Sequence, residues 1–171
     1  HTPDAPELQA SLARVLDAER LDVAIFLTGV GTRTVFEAAE RAGRSGELRQ
    51  RLDSAVVAAR GPKPTAVLRQ LDVRIDVTAP PPNTSAELLA ALANYDLWGK
   101  TVAVQLYGAP NPELSQALRE RGAVVIELAP YVWERPIDPA PVVALLQALA
   151  ERRVDVLLIT SQVQLEHLFA V

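Results

Sequence analysis

Short apolar runs recur along the chain and predict the strands of a sheet. The run from Asp22 to Thr28 (DVAIFLT) is almost wholly apolar, as a strand covered on both faces should be. Further runs of strand length stand between stretches with helical spacing. They are Ser54–Ala59, Val73–Val77, Lys100–Leu106, Ala123–Leu128 and Asp155–Thr160.

Helical spacing of apolar residues fills the segments between these runs. The segment from Pro3 to Glu19 carries an apolar face made of Leu8, Leu12, Val15 and Leu16. Thr84 and Glu87 have the spacing of a capping box, which predicts a helix reaching about Asn94. The other predicted helices cover Arg33–Ala42, Thr65–Leu71, Pro110–Arg121 and Asp138–Arg152, and one begins near Gln162. This alternation predicts an α/β fold, a doubly wound parallel sheet with helices on both faces.

The first predicted strand is followed by a Gly-x-Gly turn at Gly29 and Gly31, which is how dinucleotide sites begin. The dinucleotide fingerprint also needs a third glycine, and Thr34 occupies that position. It needs an acidic residue at the end of the second strand, whereas Asp53 precedes that strand. The sequence therefore argues against a dinucleotide site.

The turns that follow the strands still offer a binding chemistry. Unpaired backbone N–H groups at the start of a helix bind carboxylates and phosphates, and in an open parallel sheet such turns gather at one edge. The turns in question are Thr28–Thr32, Arg60–Thr65, Tyr107–Asn111 and Thr160–Gln162, and the local cations are Arg33, Arg60 and Lys63. We expect an anionic ligand there; the alternative is that glycine and threonine simply make good turns and helix caps.

Composition excludes several classes of site and partner. The 171 residues include no cysteine and two histidines, which rules out disulfides, thiolate chemistry and cysteine zinc sites and disfavours a histidine metal site. The formal net charge of −4 lacks the basic excess of a nucleic-acid surface, so no direct contact with nucleic acid is expected. No signal peptide and no run of eighteen apolar residues is visible, so we expect a cytoplasmic protein that does not enter a membrane.

Four segments, taken in order, carry a resemblance to a known family. The first is Phe26–Gly31 (FLTGVG). The second is Gln105–Gly108 (QLYG), followed by Glu113-Leu114, Ala117-Leu118 and Gly122. The third and fourth are Leu128–Tyr131 (LAPY) and Asp155–Phe169. Each is similar to a motif of the uroporphyrinogen-III synthases, and the resemblance covers nearly the whole chain.

The resemblance implies a fold and an activity. The family has two flavodoxin-like α/β domains joined by a two-stranded β connector, with the site between them. On this chain it implies a complete flavodoxin-like domain over residues 3–130, a connector over 131–137 and part of a second domain over 138–171. The substrate is hydroxymethylbilane, a linear tetrapyrrole polycarboxylate. The enzyme closes it to uroporphyrinogen III with inversion of ring D and loss of water, without a cofactor.

The motifs place the predicted site residues. Tyr131 corresponds to the tyrosine that is proposed to help the hydroxyl leave as water; the alternative is a half-buried connector tyrosine with its hydroxyl in water. Pro62 and Pro64 depart from the family pattern at the second turn. The predicted substrate-binding residues are Thr28, Gly29, Gly31, Gly61, Lys63, Thr65, Gly108, Ala109, Thr160 and Ser161.

Alternative functions and assemblies remain open. The family is longer than this chain at both ends, so we expect a fragment, present as a monomer or as a dimer that completes the second sheet by exchange. A catalytically inactive, ligand-sensing domain of a transcriptional regulator is one alternative function. A flavodoxin-like module that binds a small anion is the other.

Overall fold

The computed structural model describes residues 6–108, 110–131, 138–159 and 162–169. These residues fall into two units, one within His1–Trp133 and the other within Glu134–Val171. The division into domains drawn from the sequence stays a prediction, and residues 132–137 of the predicted connector lie outside the described part.

The first unit alternates strands and helices. In chain order its described residues form α1 (Pro6–Asp17), β1 (Val23–Phe26), α2 (Gly29–Arg41), α3 (Ser45–Ser54), β2 (Val56–Ala59), α4 (Pro62–Gln70), β3 (Val77–Thr78), α5 (Ser85–Ala91), β4 (Thr101–Gln105), α6 (Pro112–Glu120) and β5 (Val124–Leu128). The capping box predicted for α5 is confirmed, because Thr84 and Glu87 exchange the expected hydrogen bonds.

The strands form a parallel sheet in the order β3-β2-β1-β4-β5. This confirms the predicted α/β fold class. The winding reverses between β1 and β4, and in open α/β sheets ligands bind outside the carboxyl ends of the strands at such a point. Register aligns the last residues of all five strands in one row: Thr78, Ala59, Phe26, Gln105 and Leu128. The residues that follow them therefore share one edge of the sheet.

Helices cover both faces of this sheet, which explains why all four residues of β1 are buried. Ala24 and Phe26 point into a cluster shared with α1, α2 and α3. Val23 and Ile25 point the other way, into a cluster shared with α5 and α6. The alternation follows from the two-residue period of a strand. It also explains why the strands read as continuous apolar runs rather than as alternating ones.

Helix α3 is an element that the sequence pattern does not predict. It buries only Leu48 and Leu52, so its apolar period is weak. The predicted second strand is accordingly wrong at its start, because Ser54 ends α3 and the strand begins at Val56.

Strand β3 is shorter than the predicted Val73–Val77. The carboxylate of Asp76 accepts a hydrogen bond from Val57 N at 2.8 Å, and Arg74 Nη2 donates to Ala55 O at 2.8 Å. These side-chain bonds hold the segment beside β2, and strand pairing begins only at Val77.

The second unit contains α7 (Ala140–Ala150) and α8 (Gln162–Phe169), both at predicted positions. The predicted strand over Asp155–Thr160 is wrong for residues 155–159, which form no strand. A strand needs a neighbour for its backbone N–H and C=O groups, and no described segment pairs with this one. Val156 and Leu158 are accordingly 75% and 84% exposed.

Candidate functional site

The turn after β1 is organised by Thr28. Its backbone is extended, with φ of −141° and ψ of 149°, and its hydroxyl accepts a hydrogen bond from Gly31 N at 3.1 Å. Thr32 Oγ1 donates to Thr28 O at 2.7 Å. Thr28 therefore caps the helix. As a result α2 begins at Gly29, earlier than the predicted start at Arg33.

Gln105, the last residue of β4, lies beneath this turn and is 1% exposed. Its Oε1 accepts hydrogen bonds from Leu27 N at 3.1 Å and Thr28 N at 3.0 Å. Its Nε2 donates to Leu106 O and, at 3.3 Å, to Thr28 Oγ1. Two backbone N–H groups require the amide oxygen, and a backbone carbonyl requires the amide nitrogen. These partners therefore fix the orientation of the Gln105 side-chain amide. The site prediction omits Gln105, although a polar residue ending an apolar strand is a usable signal.

The two glycines of the turn are explained by packing inside the protein. A Cβ on Gly31 would lie 2.0 Å from Gln105 Nε2, and one on Gly29 would lie 2.9 Å from Lys63 O. Glycine is needed here so that α2 can approach β4 and α4 closely. The assignment of Gly29 and Gly31 to substrate binding stays a prediction.

Tyr131 meets Thr28 at the carboxyl edge of the sheet. It follows β5, and its hydroxyl lies 3.3 Å from Thr28 Oγ1. A hydroxyl has two acceptor lone pairs and one proton to donate. Thr28 Oγ1 already accepts from Gly31 N and Gln105 Nε2, so its own proton points to Tyr131. Tyr131 is then the acceptor of this bond, and its proton is not shared with Thr28.

A half-buried cation lies at the same edge. Arg60 follows β2, and its guanidinium carbon is 4.8 Å from the centre of the Tyr107 ring. Arg60 Nη1 donates to Ser85 Oγ at 3.4 Å, and Asn111 Nδ2 donates to the same oxygen at 3.1 Å. Burial lowers the pKa of the Arg60 guanidinium, while the neighbouring Tyr107 and Tyr131 oppose that change. The sequence places Arg60, Tyr107 and Asn111 in turns that are expected to bind an anion, although the list of predicted substrate-binding residues omits them. Ser85 is not predicted, because its approach depends on how β2, β4 and α5 are arranged.

The second predicted turn is set by Gly61, whose φ of +136° and ψ of −170° favour glycine. Thr65 Oγ1 donates to Gly61 O at 2.8 Å, which leaves the Thr65 hydroxyl able to accept from a ligand. Lys63 is exposed. Pro62 occupies the first helical position, where a missing N–H costs nothing.

The remaining predicted site residues are only partly described. Gly108 follows β4 with φ of +84°. Ala109, Thr160 and Ser161 lie outside the described residues. The described residues contain no group of three or more acidic or histidine side chains placed to hold a metal ion. Among the same residues, no helix has the length and apolar character to cross a bilayer.

The structure thus brings Thr28, Tyr131 and Arg60 to one edge of the sheet, at the point where its winding reverses. A hydroxyl pair and a cation in this position can donate hydrogen bonds to an anionic ligand and to a leaving oxygen.

Comparison with known proteins adds the family. A family model described as "Uroporphyrinogen-III synthase HemD" matches residues 1–171. YjjA, an uncharacterized protein of Bacillus subtilis, is 33% identical over 156 residues, which are 91% of this chain and 57% of YjjA. The crystal structure of a mutant uroporphyrinogen III synthase from the extremely thermophilic bacterium Thermus thermophilus gives a TM-score of 0.74 at 32% identity. The structural alignment covers 96% of this chain and 61% of the synthase chain. The wild-type synthase gives a TM-score of 0.65 at 31% identity, with 97% and 61% covered. The chain therefore spans about three fifths of the length of these relatives.

Proposed function

Because the chain belongs to the uroporphyrinogen-III synthase family, we propose that the protein closes hydroxymethylbilane to uroporphyrinogen III, with inversion of ring D and loss of water. The observation that carries this proposal is the contact between Thr28 Oγ1 and Tyr131 Oη, 3.3 Å apart at the carboxyl edge of the sheet. It supplies a hydroxyl donor where ligands bind in open α/β sheets.

The proposed role of Tyr131 is to donate its proton to the leaving hydroxyl of the substrate. The carbon–oxygen bond breaks, the oxygen departs as water, and the azafulvene cation is neutralised by loss of a pyrrole N–H proton that restores the phenol. The substituted α-carbon of ring D then attacks the methylene carbon of the azafulvene, which gives the spiro intermediate. The bond from that α-carbon to the ring C methylene breaks, and this methylene bonds to the other α-carbon of ring D. The proton released from that carbon returns to the ring A nitrogen, which completes uroporphyrinogen III. Thr28, held by Gly31 N and Gln105 Nε2, donates to Tyr131 and stabilises the developing phenolate.

The carboxylates of the substrate are the proposed ligands of the turns at this edge. The amides of Gly29 and Val30 open α2, where no preceding helical turn supplies an acceptor. Gly31 N donates to Thr28, so the proposed contribution of Gly31 is the space that it leaves for Gln105. Backbone groups near Gly61 and Gly108, the side chain of Lys63 and the residue Ala109 are further proposed contacts. Thr65 joins them by turning its hydroxyl proton from Gly61 O to a carboxylate. Thr160 and Ser161, which lie outside the described residues, are also proposed to bind the substrate.

The test is the ratio of product isomers formed from hydroxymethylbilane, measured by chromatography after oxidation to porphyrins. We expect isomer III from the unmodified protein and a fall in kcat of about 100-fold or more in Tyr131→Phe, since general acids contribute about 10²- to 10⁴-fold. Tyr95→Phe is the matched control, because Tyr95 is a half-buried tyrosine packed against the core formed with α5 and α6. Isomer I alone, the uncatalysed product, from the unmodified protein would refute the proposal.

A further inference from the structure

Arg60 faces tyrosine hydroxyls, whereas the arginines in the described ion pairs face carboxylates. Arg44, Arg74 and Arg119 each contact a carboxylate at the protein surface. Arg60 is half-buried, and the described groups that act on its charge are the hydroxyls of Tyr107 and Tyr131 rather than carboxylates. Its hydrogen bond to Ser85 Oγ is long at 3.4 Å. A desolvated cation that has no anionic partner among the described residues is costly, which indicates that a ligand supplies the countercharge.

The surroundings of Arg60 hold the guanidinium in one place. Its backbone N donates to Phe26 O at 2.9 Å, which continues the pairing of β2 with β1. The Tyr107 ring lies against the guanidinium, an arrangement worth more when water is excluded. Ser85 is itself fixed by Asn111 Nδ2. A guanidinium has five N–H donors in a planar fork. The bond to Ser85 and the hydrogen bond with the Tyr107 hydroxyl engage two of them, which leaves three, enough for a two-point contact with a planar anion.

We propose that Arg60 is a carboxylate-binding residue, and that its guanidinium, held against Tyr107 and by Ser85, grips one carboxylate of the ligand in a two-point contact beside the Thr28–Tyr131 pair. The identity of the ligand as a tetrapyrrole rests on the proposed function; the binding of a carboxylate by Arg60 does not. The resemblance to the synthases implies a site built on turn amides, and this contact adds a side chain that selects for anionic ligands.

The test is the affinity of the intact protein for uroporphyrin III, an oxidised form of the proposed product that keeps all the carboxylates, measured by fluorescence titration. Arg60→Gln retains a donor for Ser85 but removes the charge and the fork. We expect its Kd to rise about 10- to 100-fold, as for a lost charge-assisted pair. The matched control is Arg119→Gln, which removes one positive charge from a surface ion pair with Glu127. We expect its Kd to stay within about twofold, since exposed pairs contribute little and are screened by salt.

A second variant keeps the inference testable if Arg60→Gln fails to fold. Arg60→Lys keeps the charge and loses the planar fork, and its Kd should rise about three- to tenfold. A Kd within twofold of the unmodified protein in Arg60→Gln, or in Arg60→Lys where that variant alone folds, would overturn the inference. So would the absence of uroporphyrin binding by the unmodified protein below millimolar concentration.

The outcomes separate this inference from the proposed function. Loss of affinity in Arg60→Gln without any formation of isomer III would retain a carboxylate site and reject the synthase. Formation of isomer III with unchanged affinity in Arg60→Gln would retain the synthase and reject Arg60 as a ligand contact. If both hold, Arg60→Gln should raise KM more than it lowers kcat, because a carboxylate far from the reacting carbon is bound equally throughout the reaction.

Discussion

The contact between Gly31 and Gln105 predicts a strong coupling between two substitutions. Gln105→Ala removes the acceptor of two amides, Leu27 N and Thr28 N. A buried donor left without a partner costs about 1–3 kcal/mol, so we expect Gln105→Ala to lower the free energy of unfolding by about 3 kcal/mol. Gly31→Ala would place a methyl group 2.0 Å from Gln105 Nε2 and expel the same side chain.

The magnitude for Gly31→Ala follows from the same bonds. The loss is reduced by up to about 1 kcal/mol, because alanine favours the helix more than glycine does. We therefore expect Gly31→Ala to cost about 2 kcal/mol. Since both substitutions break the same contacts, the double variant should cost no more than Gln105→Ala alone, which is about 2 kcal/mol less than the sum.

The assay is urea unfolding followed by circular dichroism, with hydrogen exchange of the Leu27 and Thr28 amides as a local readout. Gly46→Ala is the control, because Gly46 lies in α3 and nothing stands within 4 Å of an added Cβ. We expect it to be neutral or slightly stabilising. Additivity of Gly31→Ala and Gln105→Ala within about 0.5 kcal/mol would refute the reasoning.

Two further predictions concern stability. The hydrogen bond from Arg74 to its carboxylate lowers the pKa of Asp76 in the folded protein. The pair therefore stabilises the fold fully above the pKa of Asp76 in the unfolded chain, which is about 4. This stabilisation is lost as the pH falls through the lower pKa of the folded protein. Asp76→Asn should therefore be less stable by under about 1 kcal/mol at pH 7, since Arg74 is half exposed. The difference should shrink as the pH falls through the lowered pKa of Asp76, and a difference that grows in acid would contradict this. Gly61→Ala, at φ of +136° and with Asn83 Cβ 3.1 Å from the added methyl, should cost about 1–3 kcal/mol in thermal unfolding. Gly43→Ala, at φ of +69° in open space, should cost only about 1 kcal/mol, and equal costs would count against a special strain at Gly61.

Much of the fold can be predicted from the sequence, because its strands are covered on both faces. The apolar runs around β1, β2 and β4 are continuous for this reason, and the parallel sheet follows from the alternation of strands with helices. Where burial is slight the pattern fails, as in α3 with its two buried leucines. The opposite failure occurs at residues 155–159, where the sequence is apolar but no strand forms. A strand needs a neighbouring strand for its backbone hydrogen bonds, and the apolar pattern of one segment does not show whether such a neighbour is present.

The candidate site is harder to predict, because its parts come from distant positions. Motifs point to Thr28 and Tyr131, but their contact joins residues 103 apart in sequence. Gly31 illustrates a second difficulty. A glycine after a strand looks the same whether a ligand or a side chain fills the space above it, and here Gln105 fills it. Arg60 is one cation among several in the sequence, and only the sheet brings it against Tyr107.

The position of Tyr131 just beyond an edge strand has a consequence for when its contact with Thr28 forms and is lost. Among the described strands β5 pairs with β4 alone, so it can fray, as the other edge strand β3 can, without global unfolding. When it frays, Tyr131 leaves Thr28 while the central strands stay paired. The contact between Thr28 and Tyr131 therefore forms only once β5 has docked on β4, and heating breaks it before the central strands separate.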